Sequence, residues 1–176
     1  MSGVEREAEL LDYLRTLGIV WSYHVHPPLF TVEDSKAHRD GMVGGHCKNM
    51  FLKAKSGERV LVTCLEDRQI RIRDLEKEIG LRRLSFGKPD LLMEVLGVVP
   101  GAVSPFAIYS DRAVRSVQVV LDAQMLDQDP LNYHPLHNAA TIAISPDDLL
   151  RFIAATGHDA RIVDFDRLEA KNAAIA

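Results

Sequence analysis

His46-Cys47-Lys48-Asn49-Met50-Phe51-Leu52-Lys53-Ala54-Lys55, followed by Ser56-Gly57-Glu58 and Arg59-Val60-Leu61-Val62-Thr63-Cys64, is the stretch that decides the fold. Both halves read as strands, over 46–55 and 59–64, and Ser56-Gly57 is a two-residue turn signal, so the segment predicts a β-hairpin. With that turn Asn49 stands opposite Cys64 and Phe51 opposite Val62, while Lys48 shares the other face with Met50, Leu52, Leu61 and Thr63. Apolar residues then occupy both faces. A hairpin of that kind belongs inside a sheet covered on both sides, which predicts an α/β fold: a single mixed-sheet domain with helices packed on the sheet and Lys48 at the strand's mouth.

Upstream, Val4, Ala8, Leu11, Leu14 and Leu17 recur at helical intervals and stop at Gly18, predicting a helix over 4–17. Trp21 to His26 predicts a strand halted by Pro27-Pro28, and Thr31 caps a short helix over 31–38. Asp40 to Gly45 predicts a glycine-rich connection. Downstream, helices are expected at 73–80 and 89–96 with a short Leu84-Ser85-Phe86 segment between them, and strands at 105–109, 116–122, 139–144 and 160–164. Ser145-Pro146-Asp147-Asp148 is a helix start, with Ser145 as cap. The domain is expected to span 1–168, and 169–176 to fray.

Length and charge narrow the function classes. A chain of 176 residues, 47% apolar and 26% charged, is sized for one folded domain. Its net charge of −4 argues against gripping long nucleic acid by charge alone. The start has no basic segment before an apolar run, and no stretch has the length of a membrane span, so a cytoplasmic protein without membrane partners is expected. Cys47 and Cys64 have neither metal-ligand nor disulfide-framework spacing.

Four clusters could carry chemistry. His24-Val25-His26 places two imidazoles on one strand face, which leaves a histidine-based metal enzyme open, although no Cys-x-x-Cys or His-Glu-x-x-His pattern accompanies them. Lys48-Asn49 follows glycines that let a ligand approach the backbone; the lysine is either a snorkelling side chain or a cation aimed into a pocket. Gly97 to Pro105 is a helix stop and rigid turn whose amide N–H groups could meet a carbonyl. His134-Pro135-Leu136-His137-Asn138, with Thr141, gathers hydrogen-bonding groups just before a strand. Nucleophile-elbow, phosphate-loop and dinucleotide motifs are all missing.

Taken in order, Cys47-Lys48-Asn49-Met50-Phe51-Leu52, Gly101-Ala102-Val103-Ser104-Pro105 and His134-Pro135-Leu136 with Asn138 and Thr141 resemble the YbaK/ProX family of prolyl-tRNA editing domains. The nearest likeness is to its freestanding branch, called PrdX or ProXp-ala, and it covers about residues 5–168. The resemblance implies a metal-free, cofactor-free hydrolase that acts in trans on mischarged Ala-tRNA(Pro), with the acceptor end of the tRNA and prolyl-tRNA synthetase as partners. By the same resemblance the catalytic residues are Lys48, Asn49, Gly101 and His134. Leu29, Phe30, Met50, Ala102, Pro105 and Asn138 would bind substrate. Family members commonly carry a threonine after that asparagine, where this chain has Ala139-Ala140. A non-catalytic tRNA-binding or synthetase-accessory module of the same fold is the alternative.

The physical logic of such an enzyme is size selection. A missing methylene costs only about 1–3 kcal/mol in binding, so a proline-activating site cannot strongly exclude alanine, and a second site must admit and hydrolyse the smaller product. The resemblance implies that the Gly101 loop positions the substrate while a terminal ribose hydroxyl helps activate water, so that oxyanion donors and one fixed cation suffice without a protein general base. Residues 68–88 carry Arg68, Arg71, Arg73, Lys77, Arg82, Arg83 and Lys88 against Asp74, Glu76 and Glu78, a basic segment in an acidic chain. Arg68, Arg71, Arg73, Arg82 and Arg83 are the expected tRNA contacts, unless their charges are paired along a solvated helix face.

Overall fold

The computed structural model describes residues 3–39 and 41–175; Met1, Ser2, Asp40 and Ala176, and the side chains of Val4, Val32, Asn172 and Ile175, lie outside the described residues. Strand β2 (Gly45–Lys53) and strand β3 (Arg59–Leu65) form the expected antiparallel pair at the centre of one eight-stranded mixed sheet. Their register differs by one residue from the expected one. Lys53 pairs with Arg59, so the loop is five residues long, closed by Ala54 N–H to Glu58 O at 2.8 Å and Gly57 N–H to Ala54 O at 3.0 Å. Asn49 therefore faces Thr63 and Phe51 faces Leu61, while Lys48 shares its face with Met50, Leu52, Val60, Val62 and Cys64.

The sheet is built outward from this pair. Strands β1 (Ser22–Val25), β7 (Ala140–Ile144) and β6 (Leu131–Tyr133) lie on one side of β2, and β5 (Val117–Asp122) and β8 (Ala160–Val163) lie beyond β3. One edge of β2 serves two partners in succession: its start runs parallel to β6 at Gly45 and His46, and its end pairs with β4 (Ser85–Phe86). Both faces are covered, as the two-sided apolar pattern requires. Phe51 and Leu61 enter a large core with Leu10 and Leu14 of α1 (Gly3–Thr16), and with α4 (Pro89–Leu96) and α6 (Pro146–Ala155). Leu52, Val60 and Val62 pack on the opposite face against Leu75 and Ile79 of α3 (Ile72–Ile79) and Phe165 of α7 (Phe165–Ile175). Between these, α2 (Val32–Ala37) and α5 (Ile108–Asp111) are short.

Local chemistry explains most boundaries. Thr31 accepts from the Asp34 N–H while the Asp34 carboxylate accepts from the Thr31 N–H, a reciprocal cap that starts α2. Ser145 caps α6 by accepting from the Asp148 N–H at 3.1 Å, with Pro146 in the first turn. One expected element is corrected, and one strand went unread. Residues 105–109 are helical rather than a strand: Pro105 opens a 3-10 turn over Pro105–Ala107 that runs into α5, and a short apolar run alone does not separate a buried strand from a buried turn. Strand β6 was hidden in three residues between Pro130 and His134. Helix α7 runs to Ile175, with Phe165 in the core and Leu168 packed against it.

Arg68 ties the second layer to the sheet. Its side chain is 9% exposed and reaches Asp122, which is fully buried, at 3.2 Å; Asp122 also accepts from the Leu65 and Gln124 N–H groups. Asp166 of α7 forms a further pair with the same guanidinium. Replacing Asp122 by Ala removes the buried partner of Arg68 and the acceptor of the Leu65 and Gln124 N–H groups, leaving the guanidinium its pairing with the exposed Asp166. The unfolding free energy is therefore expected to fall by about 3 kcal/mol. Urea titration reads this directly, and an unchanged midpoint would refute the anchoring role.

Candidate functional site

A small pocket of about 60 Å³ opens where the start of β2 meets β6 and β7, walled by Leu29, Asn49, His134 and Thr141 and by Arg39 and Met42 from the connection after α2. Cys47, Tyr133 and Asn132 complete its floor, and His46 closes one side. The glycine connection can sit this close only because of its residue type. Gly44 has φ +97°, and a Cβ there would lie 2.1 Å from the Pro130 carbonyl oxygen. The Asn132 amide holds the connection by donating to Val43 O at 3.0 Å and Gly45 O at 3.1 Å.

Two side chains in the pocket are oriented for chemistry. Thr63 donates to Asn49 Oδ1 at 2.8 Å, which fixes the carboxamide and leaves its Nδ2 hydrogens as donors. His134 Nδ1 lies 2.8 Å from the Ala140 carbonyl oxygen, which can only accept, so Nδ1 carries the proton and Nε2 keeps its lone pair. Burial holds the His134 imidazole below the usual histidine range, with His26 and His137 opposing its charge further. It is neutral at pH 7. By contrast Cys47, on the pocket floor, has its thiol pushed up to about 12 by burial and is not a thiolate nucleophile.

The loop from His134 to Asn138 is locked in place. Asn138 Nδ2 donates to Leu29 O at 2.8 Å and the Leu29 N–H returns to Asn138 O at 3.0 Å, so Asn138 positions Leu29 through the backbone. Ser104 donates to His134 O at 2.7 Å, tying the Gly101 turn to the same loop. Gly101 itself is exposed with φ +88°, and a Cβ there would come within 3.8 Å of Asn138 Nδ2 and 3.9 Å of Leu29 O. Among the expected site residues, Leu29, Asn49, Gly101, His134 and Asn138 are therefore brought together.

Others are not. Phe30 is 72% exposed, Ala102 is buried in the main core, and Pro105 is buried at the start of its 3-10 turn, so none of these three walls the pocket. Met50 faces the other side of β2 and packs on the second core. Lys48 follows the same alternation: its Nζ donates to the backbone carbonyl of Arg68, on the side opposite Asn49. Arg68 in turn walls a larger cleft of about 960 Å³ between α3, α7 and the ends of β2 and β3. His46 borders both cavities, and the paired Arg39 and Glu66 stand one in each wall.

Arg68 is spent on Asp122 and Asp166, which removes it as a free phosphate contact. Arg71, Arg73, Arg82 and Arg83 are exposed, and none forms an ion pair among the described residues. His24 is exposed on edge strand β1, and among the described residues no group of three or more His, Cys, Asp or Glu converges as a metal site. No helix among the described residues is long and apolar enough to cross a membrane. Arg39, Met42 and His46 were missed in the sequence because a connection announces neither its path nor what it covers.

Residues 26–152 match the family of aminoacyl-tRNA editing domains. The chain is 39% identical over 171 residues to the mouse prolyl-tRNA synthetase associated domain-containing protein 1, covering 94% of this chain and all of that one. It is 32% identical over 162 residues to the prolyl-tRNA editing protein ProX of Acetoanaerobium sticklandii, covering 92% and 98%. A crystal structure of a candidate trans-editing enzyme for prolyl tRNA synthetase superposes with a TM-score of 0.69 at 16% identity, over 93% of this chain and 96% of that one, a likeness of fold. The chain belongs to the aminoacyl-tRNA editing domain family. Its fold is the YbaK/ProX-like single mixed sheet with helices around it.

The burial of His134 has a sign that can be checked. The unfolded chain takes up that proton at higher pH than the folded one, so this group's contribution to stability is present above pH 6.5 and is lost as pH falls. NMR titration is expected to place His134 below 6.5 with the Nδ1-protonated tautomer, and a midpoint above 6.5 would contradict the neutral assignment.

Proposed function

We propose that this editing-domain protein is a trans-acting deacylase that hydrolyses the ester of mischarged Ala-tRNA(Pro). The observation that carries the reading is the pocket of about 60 Å³ with Asn49, a neutral His134 and Thr141 on its walls. A pocket this small favours a small acyl group over a prolyl ring, which is the selection by size that such an editing site needs. Membership of the editing-domain family and likeness to a ProX protein support the substrate class.

In this reading the alanyl methyl enters against Leu29. Asn49 Nδ2 donates to the ester carbonyl as it becomes an oxyanion, a contact worth about 10²–10³ in rate. The His134 Nε2 lone pair accepts a hydroxyl proton of the terminal ribose and fixes the ester, and the Gly101 turn leaves room for the sugar. Lys48, half-buried on the other face, exchanges the Arg68 carbonyl for a terminal phosphate. The exposed Arg71, Arg73, Arg82 and Arg83 hold the acceptor stem by charge. Prolyl-tRNA synthetase, which appears in the names of several relatives, is the partner that supplies the mischarged tRNA. The protein works in the cytoplasm.

Purified chain, offered Ala-, Ser-, Cys- and Pro-tRNA(Pro), is expected to deacylate the alanyl ester fastest and to spare the prolyl ester. Failure on all four would leave the non-catalytic module as the reading. Asn49→Ala and His134→Ala should each lower single-turnover kcat by about 100-fold, whereas Lys48→Ala should act mainly through KM. Activity should hold at neutral pH and fall only as His134 is protonated below the usual histidine range. Arg82→Ala with Arg83→Ala should flatten the salt dependence of tRNA binding, and an unchanged slope would remove that surface from the interface.

A further inference from the structure

Thr141 stands on the pocket wall with a hydrogen-bonding chain behind it that the reading above does not use. Its Oγ1 lies 2.9 Å from His26 Nε2, and His26 Nδ1 lies 2.9 Å from the Pro27 carbonyl oxygen. The carbonyl can only accept, so Nδ1 carries the His26 proton in the neutral ring and Nε2 offers a lone pair. The Thr141 hydroxyl then donates to Nε2, and its own oxygen lone pairs are left to the pocket. Thr141 is 8% exposed, held in β7 opposite His24 of β1, and His26 continues from β1 with its backbone N–H on Ala139 O at 3.1 Å. A hydroxyl, an imidazole and an orienting carbonyl in line form the arrangement by which a hydroxyl is made basic.

We infer that Thr141 and His26 form a proton relay that activates the hydrolytic water in the small pocket. This inference rests on the proposed deacylase reading and adds the proton's destination to it. The water oxygen bonds to the ester carbonyl carbon as one water proton passes to Thr141 Oγ1 and the threonine proton passes to His26 Nε2. The tetrahedral intermediate then expels the ribose oxygen: the acyl C–O bond breaks, and the His26 proton returns through Thr141 to that leaving oxygen. Water is consumed, the amino acid and the free tRNA terminus are released, and both residues end as they began. Thr141 is the catalytic residue of the pair; His26, which sits behind it, is the positioning and proton-holding residue.

The test uses the full chain and single-turnover deacylation of Ala-tRNA(Pro), with thermal melting of each variant. Thr141→Val keeps the shape and removes the hydroxyl, and is expected to lower kcat by about 100-fold with KM within twofold of wild type. Thr141→Ser restores the hydroxyl and should recover most of the rate, which a purely structural role for the side chain's bulk would not allow. His26→Asn should match the valine variant in kcat. Wild-type kcat in a folded Thr141→Val protein would overturn the relay, as would a serine variant no faster than the valine one. If the wild-type chain deacylates none of the mischarged tRNAs, the deacylase reading itself fails, and the relay fails with it.

Discussion

Side chains of a β-strand alternate between its faces, and this constraint on β2 organises everything else. Lys48 and Asn49 are neighbours in sequence and point to opposite sides of the sheet. Asn49 joins Thr63 and the small pocket, whereas Lys48 reaches the Arg68 carbonyl beside the larger cleft. The strand can carry a polar residue toward each side only because Phe51 and Leu52, further along, anchor it in two separate cores. A cation and an amide are thereby presented on opposite faces of the sheet by a single turnless segment.

The pocket's chemistry depends on carbonyl oxygens as much as on side chains. His134 and His26 each place Nδ1 against a backbone carbonyl, and each is left with Nε2 as an acceptor. Their rings lie 5.8 Å apart, so protonating one opposes protonating the other. His26 bonds the Thr141 hydroxyl and the neutral His134 shares the same pocket wall, an arrangement suited to moving protons. The one arginine on the pocket wall, Arg39, is paired with Glu66, and the exposed arginines stand outside the pocket in the α3 region.

Under the proposed function, that separation would let an acidic chain meet RNA. The buried Asp122 takes up Arg68 for structural purposes, while Arg71, Arg73, Arg82 and Arg83 stay in solvent. Screening leaves exposed charges free to exchange counterions with phosphates. Burial, not sequence position, divides the basic segment into a structural anchor and a set of exposed cations.

The sequence alone determined the two-faced hairpin, the caps at Thr31 and Ser145, and the motifs around Lys48, Gly101 and His134, because each is a local pattern enforced by backbone geometry. It could not determine the hairpin's register: a five-residue loop replaces a two-residue one at the cost of a single position, and that shift exchanges Cys64 for Thr63 opposite Asn49. Nor could it show that residues 105–109 turn instead of extending, since a short buried apolar run suits either. The union of Leu29, Asn49, His134 and Thr141 was decided only in three dimensions, where the parallel start of β2 on β6 and the antiparallel β1–β7 pair bring distant segments to one pocket. Long-range strand pairing leaves no local trace in the chain, and it is this pairing that makes the site.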